Sequence, residues 1–358
     1  MAASKRGAKR SRGCAGKGSK SRSDIRLLEG DCLEVLGTLE PESVDAIVTD
    51  PPYGIGFKSE AWDAAAIREA VARRGHERLT PNESFQVWCE MWAKECLRVM
   101  KPGAFLLAFG STRTFHRLVC GVEEGGLEIR DTLMWLFGTG MPKSRKYPEG
   151  RATALKPFYE PIVLARRPLS TTVLETMVEH GTGTLDARGC QVGGRHPANV
   201  IAGHDPDCRD EDCSAACAVR MIDESCSLLQ LPSRFLYCPK VSRAERNAGC
   251  ENLPRRELDL FPGKPPRWPA TGNPHPTLKP IELLRWLVRL ICPSGGVVLD
   301  PFSGAGSTGA AVALERRRFI GIELERAYME IAAARIAHWS PGDSRKPRVC
   351  RAPLGRRR

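Results

Sequence analysis

The sequence predicts an α/β fold, built on a mostly parallel sheet with helices over both faces. Three observations carry this expectation. Apolar runs of strand length alternate with runs of helical period, without internal repeats. The strand-like runs are apolar enough to be buried on both sides. Two of them end in an acid followed at once by a turn rich in Pro or Gly.

Taken in order, "IRLLEGD" (25–31) reads as a strand ending in Asp31, "VDAIVTD" (44–50) as a second ending in Asp50, and "GAFLLAFG" (103–110) as a third. Between the second and third, Phe85, Trp88, Met91, Trp92, Cys96, Leu97 and Met100 recur at helical spacing, and Pro102-Gly103 stops the run. That stripe predicts a core-facing helix. "DTLMWLFG" (131–138) and "EPIVLARR" (160–167) follow as strands. From 168 to 274 Pro, Gly and Cys rise and periodicity fades, as in an insertion. The α/β rhythm then returns: a helix over 280–291, a strand over 295–300, a helix over 307–318, a strand over 319–324 and a closing helix over 326–339.

At 358 residues and 42% hydrophobic content, the chain can bury a full core. It has no apolar run near the roughly 20 residues that cross a bilayer, so a cytosolic protein without membrane contact is expected. Fourteen scattered cysteines then suggest reduced thiols or a metal site rather than a disulfide framework. The net charge of +12 is concentrated at the ends. Residues 1–22 hold eight Lys/Arg and no acid, and residues 341–358 hold seven with Asp343 alone against them, so the body is nearly neutral. Two readings of these ends stand: solvated tails, or arms that grip phosphates by counterion release.

The sharpest ligand signal is "VVLDPFSGAGSTGAA" (297–311). A strand ends in Asp300, a turn carries Gly304 and Gly306, a helix starts near Ser307, and Glu323 ends the next strand. Such an edge of an open sheet binds nucleosides: glycine lets the backbone approach, and an acid takes ribose hydroxyls. An acid opening the motif is a poor neighbour for pyrophosphate but a good one for a ligand bearing an ammonium and a sulfonium. S-adenosylmethionine is therefore favoured over NAD.

"DPPYG" (50–54) complements it. Asp50 should emerge at the same sheet edge as Asp300. Pro51 and Pro52 fix the backbone and remove two N–H donors, so the surface there presents acceptors, the Asp50 carboxylate and the carbonyls around Pro51. Acceptors suit an exocyclic amino group, whose lone pair they would orient toward a methyl sulfonium. Tyr53 offers a face on which a base drawn out of the duplex can stack.

"DPPYG" (50–54), "HPTLKP" (275–280) and "DPFSGAGST" (300–308) in this order resemble the DNA amino-methyltransferases of the permuted, β-type arrangement, over roughly 25–165 and 275–337. The resemblance implies a Rossmann-like methyltransferase fold with circularly permuted motifs. Its layout would be a basic tail (1–23), a catalytic half (24–167), a Cys-rich target-recognition insertion (168–274), a cofactor-binding half (275–340) and a second basic tail (341–358). Carried over by residue, Asp50, Pro51, Pro52 and Tyr53 match the catalytic motif. Asp300, Phe302, Gly304, Gly306 and Ser307 match the cofactor loop, with Glu323 as the ribose-binding acid and Asp31 near the adenine. Lys279 matches the residue that helps hold the methionine carboxylate, assisted by Thr277. The implied reaction is methylation of adenine N6 or cytosine N4 in double-stranded DNA, by a monomer or homodimer, as in restriction-modification. An Asp at the head of the motif favours adenine.

Three further readings complete the sequence. His204, Cys208, Cys213 and Cys217 could hold a structural zinc, with Cys226, Cys190 or Cys238 as substitutes; without a C-x2-C pair, free thiols are the other reading. Lys143, Arg145 and Lys146, around Tyr147, are candidates for DNA backbone contact or an ordinary solvated loop. Carbon-5 methylation of cytosine would need a nucleophilic cysteine, and Cys238 in "FLYCPK" is expected to be structural.

Overall fold

Two short apolar runs from distant parts of the chain lie side by side at the centre of the sheet. Residues 24–56, 61–137, 148–192, 196–203, 236–256, 270–340 and 347–351, with a few single positions between them, are described by the computed structural model. Their strands are β1 (Ile25–Glu29), β2 (Val44–Thr49), β3 (Met100–Phe109), β4 (Glu128–Phe137), β5 (Tyr159–Arg166), β6 (Val200–Gly203), β7 (Leu236–Tyr237), β8 (Val297–Asp300), β9 (Arg318–Glu323) and β10 (Arg348–Arg351). The helices are α1 (Cys32–Leu36), α2 (Ala66–Ala72), α3 (Pro81–Val99), α4 (Phe115–Glu124), α5 (Val173–His180), α6 (Arg243–Asn247), α7 (Ile281–Ile291), α8 (Ser307–Leu314) and α9 (Arg326–His338).

The strands form one sheet in the order β10-β1-β9-β8-β2-β3-β5-β4-β6-β7. Every residue of β2 and β8 is buried, which suits central strands covered on both faces. Alternation divides their side chains between two cores. Ala46, Val48 and Val298 join Phe105, Leu107 and residues of α7, α8 and α9 on one face. Ile47 and Leu299 join Leu106 and residues of α1 to α4 on the other. The tryptophan stripe lies in this second core as expected: Trp92 is wholly buried and Trp88 nearly so. A capping box between Thr80 and Glu83 and a Pro at the first turn start α3 there.

β2 and β8 pair in parallel although the chain enters β8 some 250 residues later, and β9 and β3 lie to either side. This is where the strand order reverses, the position at which open α/β sheets bind ligands beyond the carboxyl ends.

The structure differs from the sequence expectation in three places. β5 runs antiparallel to both β3 and β4, so its first residue lies at the edge where the parallel strands deliver their last. The 168–274 segment is joined to the sheet: β6 pairs with Met134–Phe137, and β7 pairs with β6, covering an edge that β4 would otherwise leave open. Arg348–Arg351, within the expected basic tail, pairs in parallel with β1. No helix among the described residues is long and apolar enough to cross a membrane.

Candidate active site

A cleft of about 1990 Å³ runs along the sheet edge and is lined by Asp31, Asp50, Tyr53, Lys279, Asp300 and Glu323 among others. Single-ligand pockets are typically about 300–1,000 Å³, so the space suits two ligands together.

The two acid-ended turns meet across the β2/β8 pair. Thr49 Oγ1 donates to Asp300 Oδ1 at 2.7 Å, and the Phe302 amide donates to the same oxygen at 3.1 Å. Burial pushes the Asp300 carboxyl up to about 6, against the pull of these hydrogen bonds and one from Thr308.

The turn after β2 is tied at every step. Tyr53 Oη donates to Asp50 Oδ1 at 2.8 Å, and Thr114 Oγ1 donates to the Tyr53 carbonyl at 2.7 Å. The Gly54 amide donates to Oδ1 of the wholly buried Asp63 at 2.7 Å. Gly54 has φ +67°, and a Cβ there would stand 2.6 Å from the Phe85 ring, so only glycine fits.

Lys279, 6% exposed, closes the group from the other half of the chain. Its ammonium has three N–H donors and three oxygens to meet: Asp50 Oδ2 at 2.5 Å, Tyr53 Oη at 3.1 Å and Glu160 Oε2 at 3.3 Å. Burial pulls the ammonium down, but the Asp50 and Glu160 carboxylates outweigh it and hold Lys279 above the ordinary lysine range. Burial, with the same two carboxylates, keeps the Tyr53 phenol well above its usual value and therefore neutral.

The turn after β8 packs closely against its neighbours through two glycines. Gly304 and Gly306 have φ of +49° and +75°; a Cβ on the first would meet the His275 ring, and on the second the backbone of Ala332. The Gly304 amide donates to Glu323 Oε2 at 2.8 Å, and the Glu325 amide to Oε1 at 2.8 Å. Burial pushes Glu323 up to about 7. His275, whose Nδ1 bonds the Thr277 carbonyl, is pulled down to about 4 by burial and is neutral. Phe302 packs on Trp88 and Trp92, with ring centroids 5.3 and 5.9 Å away.

Asp50, Pro51, Pro52, Tyr53, Asp31, Thr277, Lys279, Asp300, Phe302, Gly304, Ser307 and Glu323 all line this one cleft. Asp31 also caps α1, accepting from Leu33 N at 2.9 Å. The Ser307 hydroxyl is engaged by Arg335 Nη1 at 3.1 Å. Lys279, expected near a ligand carboxylate, has its ammonium on Asp50. Lys143, Arg145, Lys146, His204, Cys208 and Cys213 lie outside the described residues. Cys217 is buried, and no group of three or more His, Cys, Asp or Glu among the described residues could hold a metal. Burial pushes the Cys238 thiol up to about 12, which suits a structural role.

Glu160, Asp63, Thr49 and Thr114 are the polar residues that sequence reasoning missed. Glu160 is the second residue of β5, and only the antiparallel direction of that strand brings it to the cleft. An acid at the head of an apolar run was the available signal.

A permuted α/β fold with acidic turns at the strand-order reversal defines a nucleoside-dependent transferase of the methyltransferase class. Residues 44–334 match the sequence model of the N6/N4 DNA methylases, and the chain belongs to this DNA methylase family. It is 22% identical to the type II methyltransferase M.HindIII of Haemophilus influenzae, over 87% of this chain and 94% of that one. Among solved structures, the cytosine-N4-specific PvuII DNA methyltransferase superposes with a TM-score of 0.54 at 15% identity, covering 88% of this chain and 87% of its own. The M1.HpyAVI–SAM complex aligns over 87% of this chain and 98% of its own, with 19% identity and a TM-score of 0.46. The chain is thus a DNA methyltransferase of the amino-group-modifying type.

Proposed function

We propose that the protein transfers a methyl group from S-adenosylmethionine to adenine N6 in double-stranded DNA, acting on a base drawn out of the helix. The observation that carries this reading is the Asp50–Tyr53–Lys279 group, set beside a second acidic turn in one two-ligand cleft.

The cofactor fits the β8 side. Gly304 and Gly306 let the turn fold tightly against His275 and Ala332, Glu323 is a ribose acceptor, Asp31 stands toward the adenine, and the buried Asp300 and half-buried Glu323 make no ion pair among the described residues. Thr277, Phe302 and Ser307 complete the lining. S-adenosylmethionine supplies a methyl group on a sulfonium, electrophilic enough for direct displacement.

The chain's own residues orient the nucleophile. Asp50 and the Pro51 carbonyl accept from the two hydrogens of the amino group, which localises its lone pair. Lys279 and Tyr53 hold the Asp50 carboxylate still, and the Tyr53 ring supports the extruded base. No covalent enzyme intermediate is formed. The Asp that opens the motif favours adenine over cytosine. Lys143, Arg145 and Lys146 are proposed DNA backbone contacts, and a zinc on His204, Cys208, Cys213 and Cys217 a proposed support for the target-recognition segment.

Incubation with S-adenosylmethionine and unmethylated genomic DNA, then nucleoside digestion and mass analysis, tests the reading. N6-methyladenine is expected. N4-methylcytosine would keep the mechanism and replace the base, and no methylated nucleoside from a protein that binds the cofactor would overturn the DNA reading.

A further inference from the structure

The inner face of α9 carries one residue foreign to a core. Met329, Ile331, Ala332 and Ile336 are buried on that helix, and so is Arg335, at 0% exposure. A buried guanidinium is costly unless an acid and a full set of acceptors meet it. The other buried bases are met: Arg166 by Glu128, Arg317 by Glu315, and Lys279 by Asp50 and Glu160. Arg335 has no ion pair among the described residues, and its Nε and Nη2 have no hydrogen-bond partner there. Glu245 and Cys250 stand near enough to favour its charge, but burial outweighs them and pulls the guanidinium down to about 10.

What Arg335 does bond is the turn after β8. Its Nη1 donates to the Ala305 carbonyl at 2.7 Å and to the Ser307 hydroxyl at 3.1 Å, so one nitrogen bridges the residues on either side of Gly306. Gly306, with its φ of +75°, is where the chain turns into α8, and a Cβ there would stand 2.8 Å from Ala332 of α9. Ala305 also packs with Ile331 of α9 and with Cys250. Ala305 and Ser307 line the cleft, and Arg335 is not among its lining residues. It stands behind the turn and reaches the cleft only through it.

This end of α8 is also the wrong one for a cation. Aligned amide dipoles give a helix N-terminus positive character, which disfavours a guanidinium beside Ser307. Orphaned donors, a missing acid and an adverse dipole each cost folding free energy, and an apolar side chain of similar length would avoid all three. A residue present at a cost to stability points to a role in function.

We propose that Arg335 is a positioning residue for cofactor binding: it clamps the turn at Ala305 and Ser307 from behind and so pre-sets its shape, without touching the ligand. The inference rests on the reading above, in which S-adenosylmethionine is the ligand of that turn.

The test pairs ligand-free melting of the full chain with calorimetric titration of S-adenosylmethionine. Arg335→Met removes the clamp together with the orphaned donors and the buried charge. It should melt at or above the wild-type temperature, yet bind S-adenosylmethionine about tenfold more weakly, because a turn that is no longer pre-set must be ordered on binding. Single-turnover transfer to DNA at saturating cofactor should stay within about threefold of wild type, since the clamp acts on the turn and not on Asp50. Arg335→Lys keeps a donor for the Ala305 carbonyl and should recover part of the affinity. It decides the matter if Arg335→Met does not fold, because weaker binding at an unchanged melting temperature is expected of it too. Affinity within about twofold of wild type, or a loss of affinity matched by a fall in ligand-free melting temperature, would overturn the proposal. Failure of the wild type to bind S-adenosylmethionine would instead remove the functional reading beneath it.

Discussion

The two acidic turns that face each other across the β2/β8 pair have been given opposite electrostatic settings. Asp50 meets a buried ammonium and a phenol, so its charge is matched inside the protein. The buried Asp300 and half-buried Glu323 have hydrogen bonds but no ion pair among the described residues, and burial pushes them up to about 6 and 7. The difference teaches how one cleft can separate its tasks. Under the proposed function, the carboxylate that accepts from a neutral amine is held fixed by a protein cation, and the carboxylates that receive a cationic ligand are left without an ion pair.

The largest expected effect comes from breaking the first setting. Asp50→Ala should lower single-turnover methyl transfer by on the order of 10²–10³-fold or more, the loss seen when a transition-state hydrogen-bond partner is removed. It also removes one of the two carboxylates that hold the Lys279 ammonium, so a thermal melt should show a loss of stability, limited by the remaining Glu160 partner.

Glu160→Gln keeps the shape of the clamp and removes one of the charges that sustain Lys279. Lys279 is raised in the fold, so its favourable contribution is present at neutral pH and is lost as pH rises through its folded value. With one carboxylate gone that value falls, and the alkaline limb of the rate profile should move to lower pH. His275 and Arg246, which also face this region, are unchanged by the substitution. An alkaline limb that does not move would show that Glu160 is not coupled to the reaction.

These expectations show what was legible in the sequence. Asp50, Asp300 and Glu323 were readable because each closes, or directly follows, a short apolar run, and a parallel sheet sends such residues to one edge. Glu160 was hidden by strand direction, which no local pattern in 159–166 encodes. β6, β7 and β10 are two to four residues long in polar surroundings and exist because longer strands offer them an edge. The partner of Lys279 was illegible because it follows from packing between segments more than 200 residues apart.

A smaller effect sharpens the second setting. Raised carboxyls favour the protonated fold: the contribution of Asp300 and Glu323 to stability is present below about pH 4 and is lost as pH rises through 6 to 7. A cationic ligand reverses this preference, so binding S-adenosylmethionine at pH 6.5 should release on the order of one proton. Titrations in two buffers of different ionisation enthalpy would count it, and Glu323→Gln should reduce the count.

The smallest effect is expected at Cys238. Cys238→Ser should leave methyl transfer by the folded protein within about twofold, because a buried, protonated thiol takes no part in a direct displacement. A loss of several orders of magnitude would point to a covalent mechanism.

The most direct test of the division between the two turns is one assay on two variants, Asp50→Asn and Glu323→Gln, each measured for cofactor affinity and for single-turnover transfer at saturating cofactor. The division predicts a crossed result. Asp50→Asn should bind S-adenosylmethionine nearly as the wild type does and transfer slowly, whereas Glu323→Gln should bind weakly and recover most of the transfer rate at saturation. Equal losses of affinity and rate in both variants would contradict it.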